Sequence, residues 1–310
     1  MPPPRGWSAT AMRLGELAEP DLPALVALCR TGLRDAVTPE LLRRLLLAEP
    51  DLRPELQIGL WDGARLIGAS LGSLRSAGEG LVGGPRLMLV APELRGQGHG
   101  GRLLGELEQR LLAAGVRELR VGRLAPNYLW PGLDPRDTAA LCMLERRGYT
   151  RSGDAVNMDV DLTARAWWPA EAEVALAATG WAIRRGAVAG SERLALWVRE
   201  HFSALWEWEA RLALTNTPPA IFVAERDGQI GGFACHSVSG LAGTFGPTGT
   251  DAALRGAGLG KALLLRCLAD LRALGFGRVE IGWVGPLGFY SRVAGATVSR
   301  VCWFYTKQAA

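Results

Sequence analysis

The residues best placed to do chemistry lie in two short stretches of matching design. Arg95-Gly96-Gln97-Gly98-His99-Gly100 and Arg255-Gly256-Ala257-Gly258-Leu259-Gly260 each have arginine at the head and glycines at the same offsets. Each follows a strand-like apolar run and opens a helix-like one. Glycine leaves the backbone bare, and the first N–H groups of a helix have no partner within it, so a turn of this kind cradles an anion. A pyrophosphate is the expected ligand. One such turn is often a plain helix cap; two with the same spacing ask for more than turn geometry.

Two better-known phosphate motifs fit less well. Gly96-x-Gly98-x-x-Gly101 satisfies the dinucleotide fingerprint, but the second copy has Lys261 at the third glycine, and both copies follow antiparallel-looking meanders. Gly260-Lys261 matches the end of a P-loop, but Arg255 stands at its first glycine and Ala262 at the magnesium-binding hydroxyl. Cys29, Cys142, Cys235, Cys267 and Cys302 are far apart and form no Cys-x-x-Cys pair, so neither a disulfide framework nor a metal site is expected. The net charge of +4 comes from basic residues scattered among acidic ones, which does not point to nucleic acid. Residues 1–5 lack the apolar core of a signal peptide and no apolar run is long enough for a bilayer, so the expectation is a cytoplasmic protein with no membrane partner.

The elements around the two stretches repeat. In the first half, residues 12–14 read as a strand, 19–29 and 39–46 as helices, and 55–61 with 66–74 as a hairpin around Asp62-Gly63. Residues 86–90 then form a strand leading into the first cradle. Leu103, Leu104, Leu107, Leu111 and Leu112 make a helix stripe stopped at Gly115. Residues 118–123 read as a strand, 124–136 as a loop, 138–147 as a helix and 156–161 as an edge strand closing the half. The second half gives a strand at 181–185, helical spacing across 193–214, a hairpin around Asp227-Gly228, a strand at 243–250, the second cradle, a leucine-rich helix stopped at Gly275, and a strand at 278–283. Cradles and stop glycines both recur at a spacing of 160 residues. The linker falls near 162–180, around Trp167-Trp168-Pro169.

Arg-x-x-Gly-x-Gly, reached from a strand after a hydrophobic hairpin and followed by a leucine-rich helix, resembles the acyl-CoA-binding signature of the GNAT superfamily of N-acyltransferases. The resemblance covers nearly the whole chain as two tandem GNAT-like domains, 1–163 and 175–310, in a mycothiol-synthase-like arrangement. It implies an α/β (α+β) fold in which each domain is a mixed, mostly antiparallel sheet flanked by helices and splayed between its fourth and fifth strands. Acetyl-CoA is then the implied cofactor. Met88, Leu89 and Val90, and Thr248, Gly249 and Thr250, would meet the pantetheine arm. Arg95, Gly96, Gln97, Gly98, His99, Gly100 and Gly101 would hold the pyrophosphate, as would Arg255, Gly256, Ala257, Gly258, Leu259, Gly260 and Lys261.

Acyl transfer to an amine needs a base for an ammonium of pKa ~10.4, a donor for the carbonyl oxygen and a proton for the leaving thiolate. By resemblance the last falls to Tyr290, in Phe289-Tyr290-Ser291-Arg292-Val293-Ala294-Gly295, which has one residue more than the commonest spacing before its glycine. A core tyrosine is the alternative. Leu144 stands at the corresponding place in the first half, so chemistry is expected in the second and CoA binding or structural support in the first. Neither fourth strand supplies a glutamate base; Glu207, Glu209, His201 and His236 remain open, as does a water relay. Trp197, Trp206 and Trp208 form either an aromatic wall for a cationic acceptor or an interface packing. The resulting expectation is an N-acetyltransferase for a small-molecule primary amine, with a noncatalytic acyl-CoA-binding protein as its rival.

Overall fold

The computed structural model describes residues 12–78, 80–167, 169–187, 189–238 and 243–309. Trp168 of the linker and residues 1–5 lie outside the described residues. Two compact units divide the chain, one of residues 1–154 with 303–310 and one of residues 155–302.

The first unit contains β1 (Arg13–Glu16), α1 (Leu22–Gly32), α2 (Pro39–Leu47), β2 (Gln57–Asp62), β3 (Arg65–Ala77), β4 (Gly80–Val90), α3 (His99–Ala113), β5 (Val116–Val121) and α4 (Thr138–Arg146). Local chemistry sets several of these boundaries. Thr38 accepts a hydrogen bond from the Leu41 amide and so caps α2, with Pro39 in the first turn. Strands β1 to β4 pair antiparallel in order and β4 pairs β5 in parallel. The closing strand is the C-terminal part of β12 (Thr297–Gln308), antiparallel to β5 from Tyr305↔Val121 to Gln308↔Glu118.

The second unit repeats this plan. It holds the latter part of β6 (Thr150–Asp161), α5 (Ala170–Ala177), β7 (Ala182–Arg185), α6 (Ser191–His201), α7 (Ala204–Thr215), β8 (Ile221–Arg226), β9 (Gln229–His236), β10 (Thr244–Thr250), α8 (Leu259–Ala273), β11 (Arg278–Ile281) and α9 (Leu287–Ala294). Strands β7 to β10 pair antiparallel, β10 and β11 in parallel, and β6 closes the sheet against β11. Asp227 and Gly228 both take positive φ, as a two-residue hairpin requires. Phe222 and Ala224 join a core with α8 and α9, whereas Ile221 and Val223 join one with α6 and α7, so the alternation of β8 marks two packed faces.

Two sequence expectations change here. Residues 156–161 were expected to close the first half, but they pair with β11, from Arg278↔Asp161 to Ile281↔Met158. The two closing strands have nearly the same burial pattern, and periodicity gives a strand's faces without naming its distant partner. The helical stretch 193–214 is also two helices. Ser203, in extended conformation, accepts from the Trp206 amide and starts α7 afresh.

In each unit the parallel pair forks. The β4–β5 register ends at Gly83↔Leu119, and a Cβ on Gly84 would lie 1.8 Å from the Arg120 carbonyl oxygen, so only glycine fits at the fork. The β10–β11 register ends at Phe245↔Ile281, and β10 also breaks register with β9 between Phe245 and Thr248. Beyond each fork, one strand edge runs on toward the cradle.

Candidate active site

The cradles adopt the backbone that their glycines permit. Gly96 and Gly98 have φ of 77° and 87°, Gly256 and Gly258 of 85° and 87°. A side chain at Gly96, Gly98 or Gly256 would meet nothing within 4 Å, so glycine is required there by conformation and not by crowding. Gly98 and Gly258 are the left-handed N-caps of α3 and α8. The amides of His99, Gly100 and Gly101, and of Leu259, Gly260 and Lys261, therefore open their helices without intrahelical acceptors. Both arginines are exposed, and Arg95 donates from Nε to the Val90 carbonyl (3.1 Å) and from Nη2 to that of Gly32 (2.6 Å), tying β4 to α1.

Gly260 lies between the end of β10 and α9: a Cβ there would be 3.5 Å from Thr250 Oγ1 and 3.8 Å from Phe289 Cζ. Gly100 lies in the same way between Val90, at 4.0 Å, and Met143 Sδ, at 3.5 Å. Met143 thus corresponds to Phe289, and Leu144 to Tyr290. The helix ends agree, because the Tyr149 amide donates to the Leu144 carbonyl as the Ala296 amide does to that of Tyr290. The extra residue noticed in the sequence falls after Tyr290, in a wider last turn of α9. Tyr290 is buried edge-on against Phe245 and Phe289, with ring centroids 6.1 and 5.0 Å away, and burial pushes its phenol up to about 12.

The candidate bases separate clearly. Glu207 is ion-paired with Arg211 (2.9 Å) and Arg199 (3.5 Å). His236 is buried with Nε2 2.9 Å from Asp270, which Arg185 also holds. His201 donates from Nδ1 to the Trp197 carbonyl and stacks on that indole. Glu209 is different: it is buried in α7, and desolvation alone pushes its carboxyl up to about 7. Its charge is one of the causes that raise the Cys235 thiol, and Cys235 lies on β9 opposite the stretch where β10 loses register.

Trp197 and Trp206 meet around Phe202 and Phe233, with centroids between 5.2 and 6.4 Å apart. Trp208 is partly exposed. Phe202, which sequence reasoning missed, presses the tip of its ring against Gly249; a Cβ there would be 2.3 Å from Cζ. The unusual glycine inside a strand was the available signal.

The first unit's fork holds a cavity of about 140 Å³. Pro85, Met88 and Val121 line it from the strands, Met143 and Leu144 from α4, and Tyr128 and Trp130 from the long β5–α4 loop. Of the expected pantetheine contacts in this unit, only Met88 lines it; Leu89 and Val90 are buried in β4. Among the described residues no cluster of His, Cys, Asp and Glu could hold a metal ion, and no helix is long and apolar enough to cross a membrane.

This fork, cradle and following helix define a GNAT-type unit. Residues 187–294 match the acetyltransferase (GNAT) family model. The mycothiol acetyltransferase of Kineococcus radiotolerans is 33% identical over 205 residues, 62% of this chain and 60% of its own; the chain thus spans about three fifths of the curated relative it matches. Two solved structures share the fold over both units. A glucosamine N-acetyltransferase region of a fungal multi-domain GH3 beta-N-acetylglucosaminidase superposes with TM-score 0.78 at 17% identity, over 97% of this chain and 38% of that one. A tandem GNAT protein from the clavulanic acid biosynthesis pathway gives 0.66 at 19% identity, over 96% and 99%. The chain has a tandem GNAT fold, and the match to the acetyltransferase (GNAT) family model falls within its second half.

Proposed function

We propose that the chain is an N-acetyltransferase that moves the acetyl group of acetyl-CoA to a primary amine of a small molecule, with chemistry in the second unit. The observation that carries this reading is the pair of equivalent positions beside the cradle glycines, Leu144 in one unit and Tyr290 in the other. The same reading takes two tandem halves, 1–163 and 175–310, that exchange their closing strands, in a cytoplasmic protein with free cysteines.

The forked sheet and the open α8 N-terminus suit acyl-CoA: the free β10 edge at Thr248, Gly249 and Thr250 faces the arm, and residues 255–261 take the pyrophosphate. Glu209 serves as base, taking a proton from the ammonium so that the amine nitrogen can attack the thioester carbon. A backbone amide of the β10 edge holds the carbonyl oxygen as charge grows there. The attacking nitrogen, now positively charged, gives up its second surplus proton to solvent; the carbon–sulfur bond breaks, its electron pair leaves on sulfur, and Tyr290 donates its phenolic proton to that sulfur. A phenol near 12 stays protonated at neutral pH. Full transfer to an ordinary thiolate runs uphill by about 3.5 pKa units, so Tyr290 acts chiefly as a hydrogen-bond donor until solvent completes the exchange.

The first unit has the cradle without the donor, and we assign it CoA binding or structural support. Free-thiol release with acetyl-CoA and an amine panel headed by glucosamine tests the whole reading. Turnover with at least one amine is expected; tight CoA binding with no turnover across the panel selects the noncatalytic acyl-CoA-binding protein instead.

A further inference from the structure

Next to the second cradle lies a cavity of about 320 Å³ that the proposed chemistry does not use. Its lining brings together three cations, Arg165 from the segment before α5, Lys261 from the first turn of α8 and Arg292 from α9, against one carboxylate, Glu171. Arg165 is held in place: its Nη2 donates to the Val293 carbonyl at 2.7 Å and its guanidinium lies 4.3 Å over the ring of Trp167. Trp167 is itself buried and donates from Nε1 to the Leu162 carbonyl. The cationic wall thus stands on fixed packing.

Among the described residues, the first unit shows no such wall at the matching place. Gly101 occupies the place of Lys261, and the corresponding helix face is covered by Arg147, whose Nη2 would lie 3.4 Å from a Cβ on Gly101. Arg147 donates to the Gly101 carbonyl and pairs at 3.1 Å with Glu108, which Lys307 also meets at 3.3 Å, so its guanidinium is already engaged within the unit.

We propose that this cavity is a phosphomonoester site of the second unit, which takes the 3′-phosphate of the coenzyme's adenosine through Arg165, Lys261 and Arg292. The inference rests on the acyl-CoA reading above. Coenzyme A carries this dianionic group apart from its pyrophosphate, and the cavity begins at the side chain of Lys261, the last residue of the cradle that would hold the pyrophosphate. Arginine forks give a phosphate charge-assisted hydrogen bonds that a ribose hydroxyl cannot replace.

Isothermal titration of the full chain with CoA and with 3′-dephospho-CoA tests it. The wild type should bind CoA about tenfold or more tightly than the dephospho form. Arg292→Gln, and more fully Arg165→Gln with Arg292→Gln, should erase most of that ratio while leaving dephospho-CoA affinity unchanged. Equal wild-type affinity for both ligands overturns the inference alone, as does discrimination that survives both substitutions. Binding of neither ligand overturns the acyl-CoA reading and the inference with it.

Discussion

The two units have the same strand order, fork and cradle, and they diverge in what surrounds the fork. Residues 122–137 separate β5 from α4, but only residues 282–286 separate β11 from α9. The longer loop brings Tyr128 and Trp130 over the first unit's cavity, where Leu144 offers no proton. In the second unit the loop is short, Tyr290 stands in the leucine's place and a carboxyl near 7 is buried in α7. Duplication has kept the anion-binding backbone twice, because glycine conformation and helix geometry suffice for it. In the reading we propose, the proton-handling side chains occur once.

Exchange at the paired positions probes this contrast most strongly. Tyr290→Phe should lower kcat by about 100-fold or more, the scale of a lost general acid, with CoA affinity unchanged. Leu144→Phe in the first unit should leave kcat within about twofold, since no proton moves there. Equal losses from the two substitutions would dissolve the distinction between the units.

Glu209→Gln should also cost about 100-fold in kcat/KM. Because the base must be ionised, wild-type kcat/KM should rise with pH and level off above about 7, and the variant should lose that limb. Stability should move the other way. The folded carboxyl titrates near 7 against 4.5 in an unfolded chain, so the native state holds more protons between these values and stability falls as pH rises through them. At pH 8 the neutral glutamine should therefore stabilise the protein by up to about 3 kcal/mol. A Glu209→Gln protein that is both active and no more stable at pH 8 removes Glu209 from the mechanism.

Substitutions in the cradles should act in one unit at a time. Valine at a φ of 87° is strained and places a branched side chain where phosphate approaches the backbone. Gly258→Val should weaken CoA binding by about tenfold or more and depress turnover with it, whereas Gly98→Val should lower the number of CoA molecules bound per chain and spare turnover. Turnover that depends on Gly98 instead would place the chemistry in the first unit.

The frame of this comparison was legible in the sequence because its signals are local. Glycine spacing, leucine stripes, the Thr38-Pro39 cap and the Asp227-Gly228 turn each specify their own backbone. The partner of residues 156–161 was not legible, since β11 lies more than a hundred positions away and alternation does not name partners. The break at Ser203 was masked by apolar spacing that continues across it. Glu209 stood among four candidate bases because burial and the ion pairs of Glu207 and His236 depend on tertiary contacts. The cationic wall of Arg165, Lys261 and Arg292 likewise gathers residues from three separate segments.

The smallest expected effect separates stability from function. Thr38 and Ser203 are both side-chain caps, the first on α2 and the second on α7. Replacing either by alanine should cost about 1 kcal/mol, seen as a drop of a few degrees in Tm. Only α7 carries Glu209, five residues before Leu214, which packs on the β8–β9 face. Fraying its start should therefore shift the base as well, lowering kcat/KM in Ser203→Ala while Thr38→Ala leaves it unchanged at the same loss of stability. If the two variants lose activity equally, the helix over the second fork does nothing for the chemistry that α2 does not.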